Sequence, residues 1–144
     1  TQLNTPGPEL AALDGVHAIT DVTGFGLAGH GLELARGAAC TVQIDWAKVP
    51  ALEGVRTLAA QGVVTGASGR NWAGYGGDVS LPDGFGSTDQ ALLCDPQTSG
   101  GLLVSCAPEA VDAVMAIFRR HGFDAAVEIG QIMASEVPGT LRVC

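Results

Sequence analysis

The chain has 144 residues, 47% of them hydrophobic, which is material for one domain with a sizeable core and cramped for two. Fifteen acidic residues against seven basic ones leave a formal net charge of −8, which argues against binding a nucleic-acid backbone or an anionic membrane and suits a phosphate bridged by a metal. No apolar run approaches the roughly 18 residues of a membrane span, and the opening TQLNTPGPEL lacks the basic and apolar regions of a signal peptide, so the expected setting is cytoplasmic. The four cysteines, Cys40, Cys94, Cys106 and Cys144, have no CxxC spacing and read as reduced thiols. With no initiating Met and a polar, proline-containing start, the sequence is expected to be a piece of something longer.

Residues 1–15 read as a loop or the tail of an earlier element, because Pro6, Gly7 and Pro8 interrupt any regular pattern before Leu10–Leu13. A short strand is expected at Val16–Thr20, followed by the densest stretch of the chain, ITDVTGFGLAGHGLELAR at 19–36. Thr23 is placed to cap a helix whose first turn is Gly24-Phe25-Gly26, leaving backbone N–H groups open to an anion. Asp21, just before it, adds a carboxylate for a divalent cation. Asp and Thr before a helix also serve as ordinary caps, and glycines there also permit close packing. Gly29 and Gly31 inside the helix each cost about 1 kcal/mol relative to Ala, so the helix should be buried on most sides against a close neighbour. His30 within it reads as a packing residue.

Thr41–Asp45 alternates as a half-buried strand does, with Trp46 and Val49 carrying it toward Pro50, and completes a β-α-β-like unit. Leu52, Val55, Leu58 and Ala59 mark a second helix stopped by Gly62. From Thr65 to Gly86 the chain turns glycine-rich and polar, which predicts a long functional or mobile loop, with Trp72, Tyr75 and Phe85 pinning it to a larger assembly. Arg70 and Asn71 on that loop carry a guanidinium and an amide suited to phosphate or carboxylate.

A short helix is expected at Thr88–Cys94, then a polar turn at Asp95–Gly101 whose amides and Thr98 and Ser99 hydroxyls offer an anion nest, then the buried strand Leu102–Cys106. Pro108 and Glu109 open a third helix ending at Gly122, with Arg119, Arg120 and His121 at its negative end. Ala125–Ile132 reads as a strand broken by Gly130, and Thr140–Val143 as a last strand after the Pro138-Gly139 turn. Three main helices and about five short strands predict an α+β (layered α/β) domain, a mixed sheet with helices packed on it.

Three motifs then carry a family resemblance: TDVTGFGLAGH at 20–30, GRNWAGYG at 69–76 and LLCDPQTSGGLL at 92–103 resemble selenophosphate synthetase (selenide, water dikinase). Their order and spread make the match specific. The resemblance implies the C-terminal domain of an enzyme in the aminoimidazole ribonucleotide synthetase superfamily. That family converts ATP, selenide and water to selenophosphate, AMP and phosphate with Mg2+. It implies Asp21 as a metal ligand, completed by aspartates of an absent N-terminal domain that also holds the reactive Cys or selenocysteine, its Lys and most ATP contacts. Thr23, Gly24 and Gly26 are expected beside the polyphosphate, and Arg70, Asn71, Thr98 and Ser99 are assigned to the same cleft. A homodimer built mainly through the absent half, an inactive isolated fragment and an exposed sheet edge or unfilled groove are further expectations. Rival readings are a purine-biosynthesis ligase of the same superfamily, against which CDPQTSGG speaks, and a non-catalytic interaction domain.

Overall fold

The structure, a computed structural model, describes residues 2–134 and 137–144; Thr1, the start of the expected N-terminal loop, lies outside the described residues. The elements run α1 (Gly7–Ala11), β1 (Val16–Asp21), α2 (Gly26–Gly37), β2 (Thr41–Ile44), α3 (Val55–Ala60), α4 (Gly66–Tyr75), β3 (Val79–Ser80), α5 (Ser87–Leu93), β4 (Leu102–Cys106), α6 (Val111–Arg120), β5 (Gly130–Met133) and β6 (Thr140–Val143). The α+β expectation holds, with two sheets where one was expected. One sheet has the order β3-β6-β2-β5, in which β6 runs parallel to β2 and β3, and β5 runs antiparallel to β2. The other is the antiparallel pair β1-β4, so β1, α2 and β2 do not form a unit within one sheet.

Helix α2 organises the larger core, and it is buried on most sides, as its internal glycines require: Gly26, Ala28, Gly29, His30, Gly31, Leu32 and Ala35 are all buried. A methyl on Gly31 would come within 2.5 Å of Leu141 Cδ1, on a side chain that is itself fully buried in β6. Helix and sheet therefore approach backbone to side chain, and the helix-propensity cost of glycine is offset by that contact. Around α2 gather Val42, Ile44, Leu93, Cys94, Leu141 and Val143.

The stretch from Thr65 to Gly86 corrects the expected loop. It folds into α4, a 3-10 turn at Gly76–Asp78 and β3. Thr65 caps α4 by accepting from the Ser68 N–H at 3.3 Å, and Trp72 and Tyr75, one turn apart, pack with Phe85 on this domain's own core instead of on a larger assembly. Three glycines weaken the intrinsic propensity of α4, and tertiary packing of its aromatic face overrides it. Two smaller corrections have local causes. Residues 7–11 form α1 because Pro8 sits in the first turn, where its missing N–H costs nothing. The strand expected through Val49 stops at Ile44, because the Asp45 side chain accepts from Ala47 N–H and starts a 3-10 turn at Trp46–Lys48.

A second core sits where α1 and α6 cover the β1-β4 pair, around Leu10, Val114, Ile117 and Phe118. Glu9 ties these helices at the surface: its carboxylate pairs with Arg120 and accepts from His121 Nε2 at 2.9 Å, while His121 Nδ1 meets the Thr5 hydroxyl at 3.2 Å. The His121 hydrogen bond, then the Arg120 charge, holds the Glu9 carboxyl below its ordinary value of 4.5. A depressed carboxyl stabilises the fold above its unfolded value and loses that contribution as pH falls through the folded one. Replacement Glu9→Gln should therefore lower the urea midpoint at pH 7, and the gap from the parent chain should close on acidification below about pH 4.5; a gap that persists in acid would assign the effect to packing.

Candidate functional site

Strand β1 ends at Asp21, opposite Leu102 in β4, and its carboxylate is exposed with no hydrogen bond or ion pair among the described residues. Past it, the segments 21–26 and 94–101 are stitched together through their backbones. The Val22 N–H donates to Gly101 O at 2.9 Å, and the N–H groups of Gly26 and Gln97 both donate to Thr23 O at 3.0 Å. Gly26 has φ +68°, and a Cβ there would lie 2.6 Å from the Cys94 carbonyl carbon. Backbone cannot yield as a side chain does, so only glycine fits both the conformation and the space.

Helix α4 clamps the two segments from outside. The Asn71 side-chain amide donates to Gly24 O at 2.9 Å and to Cys94 O at 3.0 Å, and the Tyr75 hydroxyl donates to Phe25 O at 2.6 Å. Burial, then the neighbouring Cys94 thiol, pushes the Tyr75 phenol far above its ordinary range, so it stays a neutral donor. Cys94 is fully buried, and burial raises its thiol pKa. An inert packing thiol is the consequence. Asp95 collects the Thr65 and Ser68 hydroxyls, each at 3.3 Å, and the Gln97 amide at 3.2 Å, fixing the start of the 95–101 turn.

The residues singled out from sequence come together unequally. Asp21 stands at the mouth of these loops, and Gly24 is exposed with open space where a side chain would go. Thr23 does not cap α2: the helix starts at Gly26 with Phe25 as the capping position, and the Thr23 hydroxyl instead meets His30 Nε2 at 3.2 Å. The Gly26 N–H is taken by Thr23 O, so it is not an open anion donor. Both Asn71 amide hydrogens are spent on carbonyls, which makes this residue a clamp. Arg70, Thr98 and Ser99 are exposed, and none has a side-chain partner among the described residues. No group of three or more His, Cys, Asp or Glu among the described residues is arranged to hold a metal.

The family described as "AIR synthase related protein, C-terminal domain" matches residues 5–140. The chain belongs to that family. Within this AIR synthase-related domain, similarity to selenide, water dikinases runs end to end: 66% identity to the Burkholderia orbicola (strain MC0-3) protein over 99% of this chain, and 60% to that of Pseudomonas straminea over 93%. The chain spans 39% of the first relative's length and 38% of the second's. Among solved structures, hydrogenase maturation protein HypE in complex with ATP is similar in fold, with a TM-score of 0.66 at 19% identity over 98% of this chain and 36% of that one. The resemblance carried by the three motifs agrees with these relatives, and no helix among the described residues is long and apolar enough to cross a membrane.

What sequence reading of this AIR synthase-related domain missed is the traffic between motifs. The 69–76 and 92–103 motifs hold the 20–30 motif in shape; His30 links Thr23 to Glu33. Only the His30–Glu33 spacing of three residues carried a local signal. Replacement Asn71→Ala should cost about 1–3 kcal/mol by leaving two carbonyls unpaired and should speed amide exchange at Gly26 and Gln97. Arg70→Ala should stay within about 0.5 kcal/mol of the parent chain; equal losses for the two would refute the clamp.

Proposed function

We propose that this domain is the metal- and phosphate-facing part of a selenide, water dikinase, working within a longer polypeptide that makes selenophosphate from selenide, ATP and water and releases AMP and phosphate. The single observation that carries this reading is the unpartnered, exposed Asp21 carboxylate at the end of a strand whose following turn is locked by Gly26, Asn71 and Gln97. The similarity of the whole chain to selenide, water dikinases supports the choice of reaction.

A hard oxygen ligand open to solvent fits Mg2+, which takes few protein carboxylates and keeps its remaining positions for water and phosphate oxygens. Bound Mg2+ would neutralise charge on the transferring phosphates. This chain contributes Asp21 to that ion; the other carboxylates, the nucleophile and most nucleotide contacts belong to the rest of the longer protein. Gly24 lets the backbone approach the polyphosphate, Arg70 supplies an exposed guanidinium, and Thr98 and Ser99 offer hydroxyl donors on the adjoining turn. Thr23, Gly26 and Asn71 hold the loop in register. The −8 net charge suits a metal-neutralised substrate and a protein that binds no nucleic acid. A cytoplasmic setting, supported by four free thiols, and a homodimer joined outside this domain complete the proposal.

In the longer protein, Asp21→Asn should abolish Mg2+-dependent selenophosphate formation while the thermal unfolding midpoint stays within about 2–4 °C of the parent. Full activity in a folded Asp21→Asn protein would overturn the assignment.

A further inference from the structure

Between the start of α4 and helix α5 lies a cavity of about 230 Å³. One wall is Gly66, Ser68 and Gly69 after the capping Thr65, the other is Ser87 and Gln90 of α5, and no lining residue is acidic. Gly69 leaves open space where a side chain would go, and Arg70 folds back over Gly66, its Nη1 3.4 Å from where a Cβ there would stand. The bare helix surface makes room for the guanidinium beside the cavity. In a chain of net charge −8, Arg36, Lys48, Arg56 and Arg120 each pair with a carboxylate, while Arg70 has no partner among the described residues. The side chains of Ser87 and Gln90 have none there either. Those of Thr65 and Ser68 differ, because both hydroxyls donate to Asp95, which does not line the cavity, at 3.3 Å each.

We infer that this cavity is a subsite for a small phosphate, with Arg70, Ser87 and Gln90 as its donors. A guanidinium presents parallel N–H groups that match two oxygens of one anion. A planar carboxylate would be satisfied by that fork alone, whereas a tetrahedral oxyanion keeps further oxygens for an amide and a hydroxyl on the facing helix. Gln90 and Ser87 supply them. With their hydrogens spent on Asp95, the Thr65 and Ser68 hydroxyls shape the wall and donate nothing. The Asp95 carboxylate beyond them repels an anion, which is why the site needs an unpaired guanidinium and not neutral donors alone. Size narrows the ligand further. The cavity is smaller than the roughly 300–1,000 Å³ of sites for drug-sized molecules, so it admits inorganic phosphate or a short phosphate ester and excludes a whole nucleotide. Every binding group belongs to this chain. The inference is independent of the metal reading of Asp21, and it takes Arg70 from the mouth of the loops to this cavity.

The test uses this chain, with inorganic phosphate as the probe and chloride at equal ionic strength as the control. In proton–nitrogen NMR at neutral pH, phosphate should saturably shift the amides of Gly66 and Gly69 and the side-chain signals of Arg70 and Gln90, and chloride should leave them in place. Arg70→Ala should keep the spectrum of a folded chain and weaken phosphate binding about tenfold, the weight of a charge-assisted contact. Gln90→Ala should weaken it by a smaller factor. Shifts that never saturate, or that persist undiminished in Arg70→Ala, mean an adventitious ion only and overturn the site. Shifts confined to residues 21–24 return the phosphate to the mouth of the loops, which overturns the inference and spares the reading of Asp21. AMP, tried at the same concentrations, should leave the signals of residues 66–70 unmoved; binding there as strong as that of inorganic phosphate overturns the assignment to a small phosphate.

Discussion

The site depends on two backbones lying against each other with no side chain between them. Gly26 turns with φ +68° in a space closed by the Cys94 carbonyl group, and from that contact the N–H groups of Gln97 and Gly26 reach the same Thr23 oxygen. Any side chain at Gly26 would separate the 21–26 and 94–101 segments and unpair those donors together, each at the cost of an unsatisfied buried polar group. Asn71 and Tyr75 then close the joint from α4. The rigidity of the loops that follow Asp21 comes from supports set back from its carboxylate.

The same joint decides which groups are chemically available. Cys94 and Tyr75 are near the loops and carry reactive heteroatoms, yet burial drives both pKa values upward and keeps them neutral. Asp21, Arg70, Thr98 and Ser99 face water without partners among the described residues. Inert groups lie inside and available groups outside, a division that follows from solvation alone. His30 is the exception, a buried titratable ring made tolerable because each nitrogen has a partner.

Much of this architecture was legible in the residues. The glycines of α2 announced a close neighbour, and the neighbour is Leu141 of β6. Strands β4 and β6 and helix α6 lie where periodicity put them, because each buries one face on a core that pattern alone defines. Sequence reading failed where local propensity and tertiary packing disagree. Residues 66–75 contain Gly66, Gly69 and Gly74 and read as loop, but Trp72 and Tyr75 fall on one face of a helix that the core holds in place. It also failed at Thr23, whose position suggests a cap, because the competing partner His30 lies seven residues away on the inside of the next helix. The candidate residues were visible one by one; which of them are tied up within the protein was not, since it depends on which hydrogens are already spent.

Strand β6 stands between β3 and β2 in the larger sheet, although it is made almost 100 residues after the Thr41 with which its Thr140 is paired. On a ribosome, α2 and β2 emerge long before the strand that fills the groove at Gly31 exists. Until residues 140–143 are released, Val42 and Ile44 lack their central partner, and loop closure over that separation is slow. A nascent domain of this kind spends its early life with an open apolar seam, the situation in which holding chaperones are most useful.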